Sequence, residues 1–269
     1  MLLGTIEAGG TKIRFGLGNE KAEIREQNII KTRDPEISIP VLFDYFKKNK
    51  VDSLGIASFG PLDLNKDSNN FGAILHSPKT NWQNSNWLKE FEPLNIPIAI
   101  ETDVNACALA EFQLGAAREK TSVLYLTIGT GIGGGFVIQG EIHKGLSHPE
   151  MGHICIPKHS EDSFEGICTY HSNCFEGLAS GPALEKRWGM SADEIPFNHK
   201  AFDIQAYYVA SGLINYYLVL KPAQIILGGG VMKKQGLLKK IQNQFLNHLN
   251  KYTHDEIILN SIEKYIVYA

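Results

Sequence analysis

Leu126-Thr127-Ile128-Gly129-Thr130-Gly131-Ile132-Gly133-Gly134-Gly135 ends an apolar strand in a turn made almost wholly of glycine. Far upstream, Thr5-Ile6-Glu7-Ala8-Gly9-Gly10-Thr11-Lys12 does the same: a Thr-Ile pair runs into a Gly/Thr turn. Such a turn lets a backbone come close to a ligand, and its N–H groups, with Lys12 alongside, suit phosphate. The spacing of a Walker loop is absent. One hairpin of this kind would be ordinary, since hairpin turns use glycine in any case. Two of them, with Gly228-Gly229-Gly230 behind the short strand Gln224–Leu227, predict two related α/β halves with a nucleotide between them.

Working outward, residues 2–8, Ile13–Leu17 and Ala22–Thr32 read as strands, and Ile39–Lys48 as a helix. Ser53–Ser58 is a strand that enters the turn Phe59-Gly60-Pro61. The segment Asp63–Trp87, with Pro78, Lys79, Asn81, Trp82 and Trp87, reads as a long loop built for binding. Ile96–Glu101 is a strand, after which Asp103 begins a helix, in a position that suits an N-cap. In the second half, Ser122–Ile128 is the strand, 129–135 the turn and Phe136–Gln139 the return. Helices are expected from Asp203 to Lys221 and over Leu237–Tyr252, and Tyr265–Ala269 is strand-like. The domain boundary is expected after the Asp103 helix, dividing the chain into 1–117 and 118–269.

The stretch from Ser147 to Glu176 holds three of the four cysteines. Cys168-x-x-His171-x-x-Cys174 sets three soft ligands at equal intervals, and His153 upstream completes a Cys2His2 set suited to structural Zn2+. Cys155 and His159 are rival ligands. A metal that fixes this loop also fixes Glu150 and Glu176, and a rigid pair of carboxylates suits hydroxyl recognition. The 269 residues, 43% hydrophobic and 20% charged with a formal net charge of −3, are those of an ordinary soluble protein. Without a long basic run, nucleic acid is not an expected partner. No secretion signal and no apolar run of membrane-spanning length is found, so a cytoplasmic protein without membrane contact is expected. Clustered cysteines fit a reducing compartment.

Glu7-Ala8-Gly9-Gly10-Thr11-Lys12, Phe59-Gly60-Pro61, Glu101–Ala106, Leu126–Gly135, His148–His153, Cys168–Glu176 and Ile226–Val231 occur in that order. Together they resemble the ROK family of actin-like sugar kinases, and most of all its zinc-containing bacterial fructokinases. The resemblance implies an actin-like ATPase (ribonuclease H-like) fold of two α/β domains flanking a nucleotide and sugar cleft, in a homodimer. It implies that Gly9, Gly10, Thr11 and Lys12, with Gly129, Thr130 and Gly131, hold the phosphates of ATP, bridged by Mg2+. Gly228, Gly229, Gly230 and Pro182 would border the adenosine. Asp103 matches the catalytic base. Gly60, Thr102, Asp103, Glu150, His153 and Glu176 match the residues that meet the hexose, His153 also ligating zinc.

Three departures stand out. The middle zinc ligand is His171 in a shortened loop. Thr102 stands where the family usually has Asn, and Glu7 where many members have Asp; both fit the fructokinase-like branch. The family's closing helix is not found before Ala269. The implied activity is ATP-dependent phosphorylation of fructose to fructose 6-phosphate. Mannose, glucose or N-acetylmannosamine are the alternative hexoses, and a non-catalytic sugar-binding protein is the alternative role.

Overall fold

A computed structural model of the chain describes residues 1–77, 79–196 and 198–269, so Pro78 lies outside the described residues. The chain folds into two compact units: Met1–Ala106 with Lys144–His148, and Cys107–His143 with Pro149–Ala269. The division falls within a helix, and the expected boundary at 117–118 lies just past that helix's end.

The first unit contains β1 (Leu3–Ala8), β2 (Lys12–Gly18), β3 (Ile24–Lys31), α1 (Pro35–Asn49), β4 (Ser53–Ser58), α2 (Trp87–Phe91) and β5 (Ile98–Thr102). The helix α3 (Asp103–Gln113) follows directly. The strand order is β3-β2-β1-β4-β5. β1 pairs antiparallel with β2 and parallel with β4. Along β1 the side chains alternate, Ile6 and Ala8 buried and Thr5 and Glu7 exposed, as the pleat requires. α1 starts at Pro35, ahead of the expected Ile39, because proline's fixed φ suits the first position of a helix. Ile39, Leu42 and Phe46 then fall on one buried face.

The second unit contains β6 (Ser122–Ile128), β7 (Ile132–Ile138), β8 (Glu141–Ile142), α4 (Phe175–Ala179), α5 (Gly181–Trp188), α6 (Ala201–Leu220), β9 (Ile225–Gly228), α7 (Leu237–Leu249), α8 (Glu256–Asn260), α9 (Ile262–Tyr265) and β10 (Ile266–Tyr268). Its strand order, read from the other edge, is β8-β7-β6-β9-β10. β6 pairs antiparallel with β7 and parallel with β9, as β1 does with β2 and β4. The two units thus share one topology, and each glycine turn joins the first two strands of its sheet. Among the described residues no helix is long and apolar enough to cross a membrane.

Several expected elements shift. Gly133, Gly134 and Gly135 belong to β7 and not to the turn. A Cβ on Gly134 would lie 2.5 Å from Met151 Sδ and 2.7 Å from Leu126 Cδ2, so glycine here serves close packing. α6 begins at Ala201, two residues before Asp203, and α7 stops at Leu249, where Asn250 turns left-handed. The loop of Trp82 and Trp87 is not a binding surface through those rings. They are 2% and 1% exposed and stack at a centroid separation of 5.2 Å in the first unit's core. Trp82 Nε1 donates to Arg33 O at 2.9 Å and Trp87 Nε1 to Ser58 Oγ at 3.0 Å, so each polar edge is satisfied.

Candidate active site and metal centre

In the first unit β5 delivers Thr102 and Asp103 to the start of α3. The resemblance assigns Thr102 to the sugar site and Asp103 to the role of base, and the local sequence also suits Asp103 as N-cap; the capping bond itself is made by Thr102. Thr102 is buried, and its Oγ1 accepts the Asn105 N–H at 3.3 Å, which is the capping bond of α3. Asp103, the next residue, is half-buried, and its Oδ1 accepts the Val104 N–H at 2.9 Å. Burial pushes its carboxyl up to about 6, and the negative charge of Glu7 adds to the rise. Glu7 itself takes both oxygens to Arg14 Nη1, at 3.0 and 3.1 Å. The chain leaves Glu7 and Ala8 directly into Gly9-Gly10-Thr11-Lys12, where Gly10, Thr11 and Lys12 are exposed. The Gly9 N–H donates to Lys12 O at 3.0 Å, closing the hairpin. Gly60 is half-buried just past β4.

A further group around α3 went unassigned in the sequence. Glu101 Oε1 accepts the Thr102 N–H and Asn105 Nδ2, both at 3.0 Å, while Glu101 Oε2 pairs with Lys144 Nζ at 3.0 Å. Asn105 Nδ2 also lies 3.2 Å from His148 Nδ1. These contacts brace the turn that presents Asp103. The i, i+4 spacing of Glu101 and Asn105 is the local signal for half of them; Lys144 and His148 arrive by tertiary folding.

In the second unit, three glycine elements converge. Gly181 N, at the start of α5, donates to Gly129 O at 2.7 Å, which places Pro182 one residue from the β6–β7 turn. Gly229 holds φ at +95°, and a Cβ there would lie 2.4 Å from Ile128 O. Gly129 N is spent on Gly131 O at 2.9 Å, the same hairpin closure seen at Gly9. Glu176 Oε2 accepts the Ile132 N–H at 2.8 Å, tying the first turn of α4 to the glycine hairpin. Glu150 is exposed, and its carbonyl accepts the His153 N–H at 3.0 Å.

His153, Cys168, His171 and Cys174 come together with all four ligand atoms within 4.8 Å of one another. His153 Nδ1 is 3.5 Å from Cys174 Sγ and 3.7 Å from Cys168 Sγ, and Cys168 Sγ is 3.8 Å from His171 Nδ1. A tetrahedral ion with bonds of about 2.3 Å to sulfur and about 2.0 Å to nitrogen has S···N edges of roughly 3.6 Å. The set therefore fits zinc in both chemistry and size. A tight turn shapes it: Cys168 and Ser172 exchange both backbone hydrogen bonds, at 3.2 and 3.0 Å. Cys155 is exposed, and His159 Nδ1 accepts the Glu161 N–H, so neither rival ligand joins the four. His153 has two faces, since its Nε2 lies 4.0 Å from Glu176 Oε1.

Two like-wound α/β units, each with a glycine turn behind its first strand, define the actin-like ATPase architecture. The chain belongs to the ROK family, whose pattern matches residues 3–264. It is 43% identical to a fructokinase of Lactococcus lactis subsp. cremoris over 98% of this chain and 89% of that protein. It is 40% identical to a fructokinase of Zymomonas mobilis subsp. mobilis over 93% of this chain and 87% of that protein. Among solved structures, a ROK hexokinase from Thermus thermophilus superposes with a TM-score of 0.76 at 26% identity, covering 93% of this chain and 89% of that one.

Proposed function

We propose that the chain is a fructokinase, transferring the γ-phosphoryl group of ATP to the 6-hydroxyl of fructose. The observation that carries the reading is Asp103: a carboxylate in the first turn of α3, half-buried, with its pKa pushed up to about 6. A base of that strength is ionised at neutral pH and more basic than an ordinary carboxylate, which suits taking a proton from a hydroxyl. The relatives named fructokinase, at 40% and 43% identity over nearly the whole chain, support fructose as the acceptor.

In the reaction the fructose hydroxyl oxygen bonds to the γ-phosphorus, the bond to the β-phosphate oxygen breaks, and ADP leaves. The hydroxyl proton passes to Asp103. The transition state is loose, so positioning and charge neutralisation account for most of the rate. In the first unit, the turn Gly9–Lys12 takes phosphate, and Gly60 and Asp103 meet the sugar. Thr102, assigned to the sugar site by the resemblance, also caps the helix that presents Asp103. In the second unit, Gly129–Gly131, Pro182 and Gly228–Gly230 serve the nucleotide, and Glu150, His153 and Glu176 read hydroxyls. Mg2+ supplies neutralisation of the phosphate charge. Zinc on His153, Cys168, His171 and Cys174 supplies rigidity: it orients the imidazole whose other nitrogen neighbours Glu176. The reading includes a homodimer, checked by sedimentation, in the reducing cytoplasm that suits two thiolate ligands.

Purified protein with ATP and Mg2+, assayed for ADP against fructose, mannose, glucose and N-acetylmannosamine, tests the reading. Fructose is expected to have the highest kcat/KM. A higher value for glucose or mannose would make the chain a different ROK hexokinase. No ADP with any sugar, despite sugar binding, would make it a sugar-binding protein without catalysis.

A further inference from the structure

We propose that Lys79 is a phosphate-binding residue, holding the phosphoryl group that is transferred; this rests on the kinase reading above. A methyl group placed on Gly10 would meet Lys79 Cε at 3.5 Å, so the lysine stem lies in contact range of the middle of the first glycine turn. The ammonium is one bond further. Among the described residues no carboxylate pairs with it. This half-buried cation lies beside a glycine turn of the kind that suits an anion.

The lysine is also held in place. Its N–H donates to Ser77 Oγ at 3.2 Å, and Ser77 is buried. Its carbonyl accepts the Trp82 N–H at 2.9 Å, and Gln83 Nε2 donates to Ser77 O at 2.9 Å. Trp82 is in turn anchored in the core through Arg33 O. The buried tryptophan thus gives the polar loop a fixed point and sets Lys79 over Gly10. A cation pre-positioned where charge moves from donor to acceptor lowers the barrier without reorganising during the step.

The transferable phosphoryl group sits on ATP before the step and on the sugar afterwards, and two binding arms separate those sources. Lys79→Met and Lys79→Arg are compared with the unaltered protein for affinity toward a non-hydrolysable ATP analogue, ADP and fructose 6-phosphate, and for kcat. Lys79→Met should lower kcat roughly a hundredfold, the scale of losing one charge-stabilising donor, with Lys79→Arg retaining more of it. Analogue binding weakened at least about fivefold, with ADP binding unchanged, assigns Lys79 to the γ-phosphate. Weakening confined to fructose 6-phosphate assigns it to the product. The melting temperature should not move, since the side chain is half-exposed and unpaired. Unchanged kcat and unchanged binding of all three ligands would overturn the proposal. If the unaltered protein turns over no hexose, the kinase reading fails by itself, and the analogue and ADP arms still decide Lys79.

Discussion

Thr102 Oγ1 accepts the Asn105 N–H at 3.3 Å, so the hydroxyl before Asp103, and not the Asp103 carboxylate, caps α3. This separates two roles that the sequence merges. Asp103→Asn should lower kcat by roughly 10²–10⁴ and leave the melting temperature unchanged or slightly higher. Thr102→Ala should cost about 1 kcal/mol of unfolding free energy, read from a urea titration, with Thr102→Ser restoring most of it. Near-normal turnover by Asp103→Asn would place the base elsewhere.

The pH dependence follows from the same carboxylate. Burial first, then Glu7, raises Asp103 to about 6. The base must be ionised, so kcat/KM should fall about tenfold per unit below pH 6. For stability the sign is opposite: the folded protein holds this proton more tightly than the unfolded chain does. The contribution is therefore complete below the ordinary carboxylate value and is lost as the pH rises through 6. Glu7→Gln removes the like charge and should move the acid limb of the rate profile to lower pH. A limb that stays where it was would mean that Glu7 does not act on Asp103.

Removal of the metal should loosen the loop that it closes. Protein prepared without chelator should contain about one zinc per chain by elemental analysis, the stoichiometry of a four-ligand structural site. His171→Ala should lose most of that metal and lower the melting temperature, because binding energy of a structural ion is folding energy. Cys155→Ser should leave metal content unchanged, since Cys155 is outside the four. Zinc-free protein that melts at the same temperature as the zinc-loaded form would sink the assignment.

Trp87 tests the role of the polar loop as core. It stacks on Trp82 at 5.2 Å and on Phe91 at 6.2 Å, and it is 1% exposed. Trp87→Ala should destabilise by about 3–5 kcal/mol in urea, the range for emptying a large aromatic site. A loss below about 1 kcal/mol would return the residue to the surface.

By itself the sequence determined the local features: which segments are strands, where glycine is needed behind them, and which residues offer soft ligand atoms at loop spacing. These follow from side-chain periodicity, from the freedom of glycine and from donor chemistry, all of which act over a few residues. The repeated Thr-Ile-turn pattern was enough to announce two like-wound units, because the turn that joins the first two strands is a local motif. Tertiary structure alone decided the rest. Whether Trp82 and Trp87 face ligand or core depends on which distant strand they meet, and both indoles found partners at Arg33 and Ser58. Cys155 and His159 were as near in sequence as the four residues that converge, and only the path of the loop excluded them. The cap is Thr102 and not Asp103 because the Thr102 hydroxyl is the one that reaches the Asn105 N–H, and Lys79 lies beside Gly10 in a loop that the buried Trp82, three residues on, ties to the core.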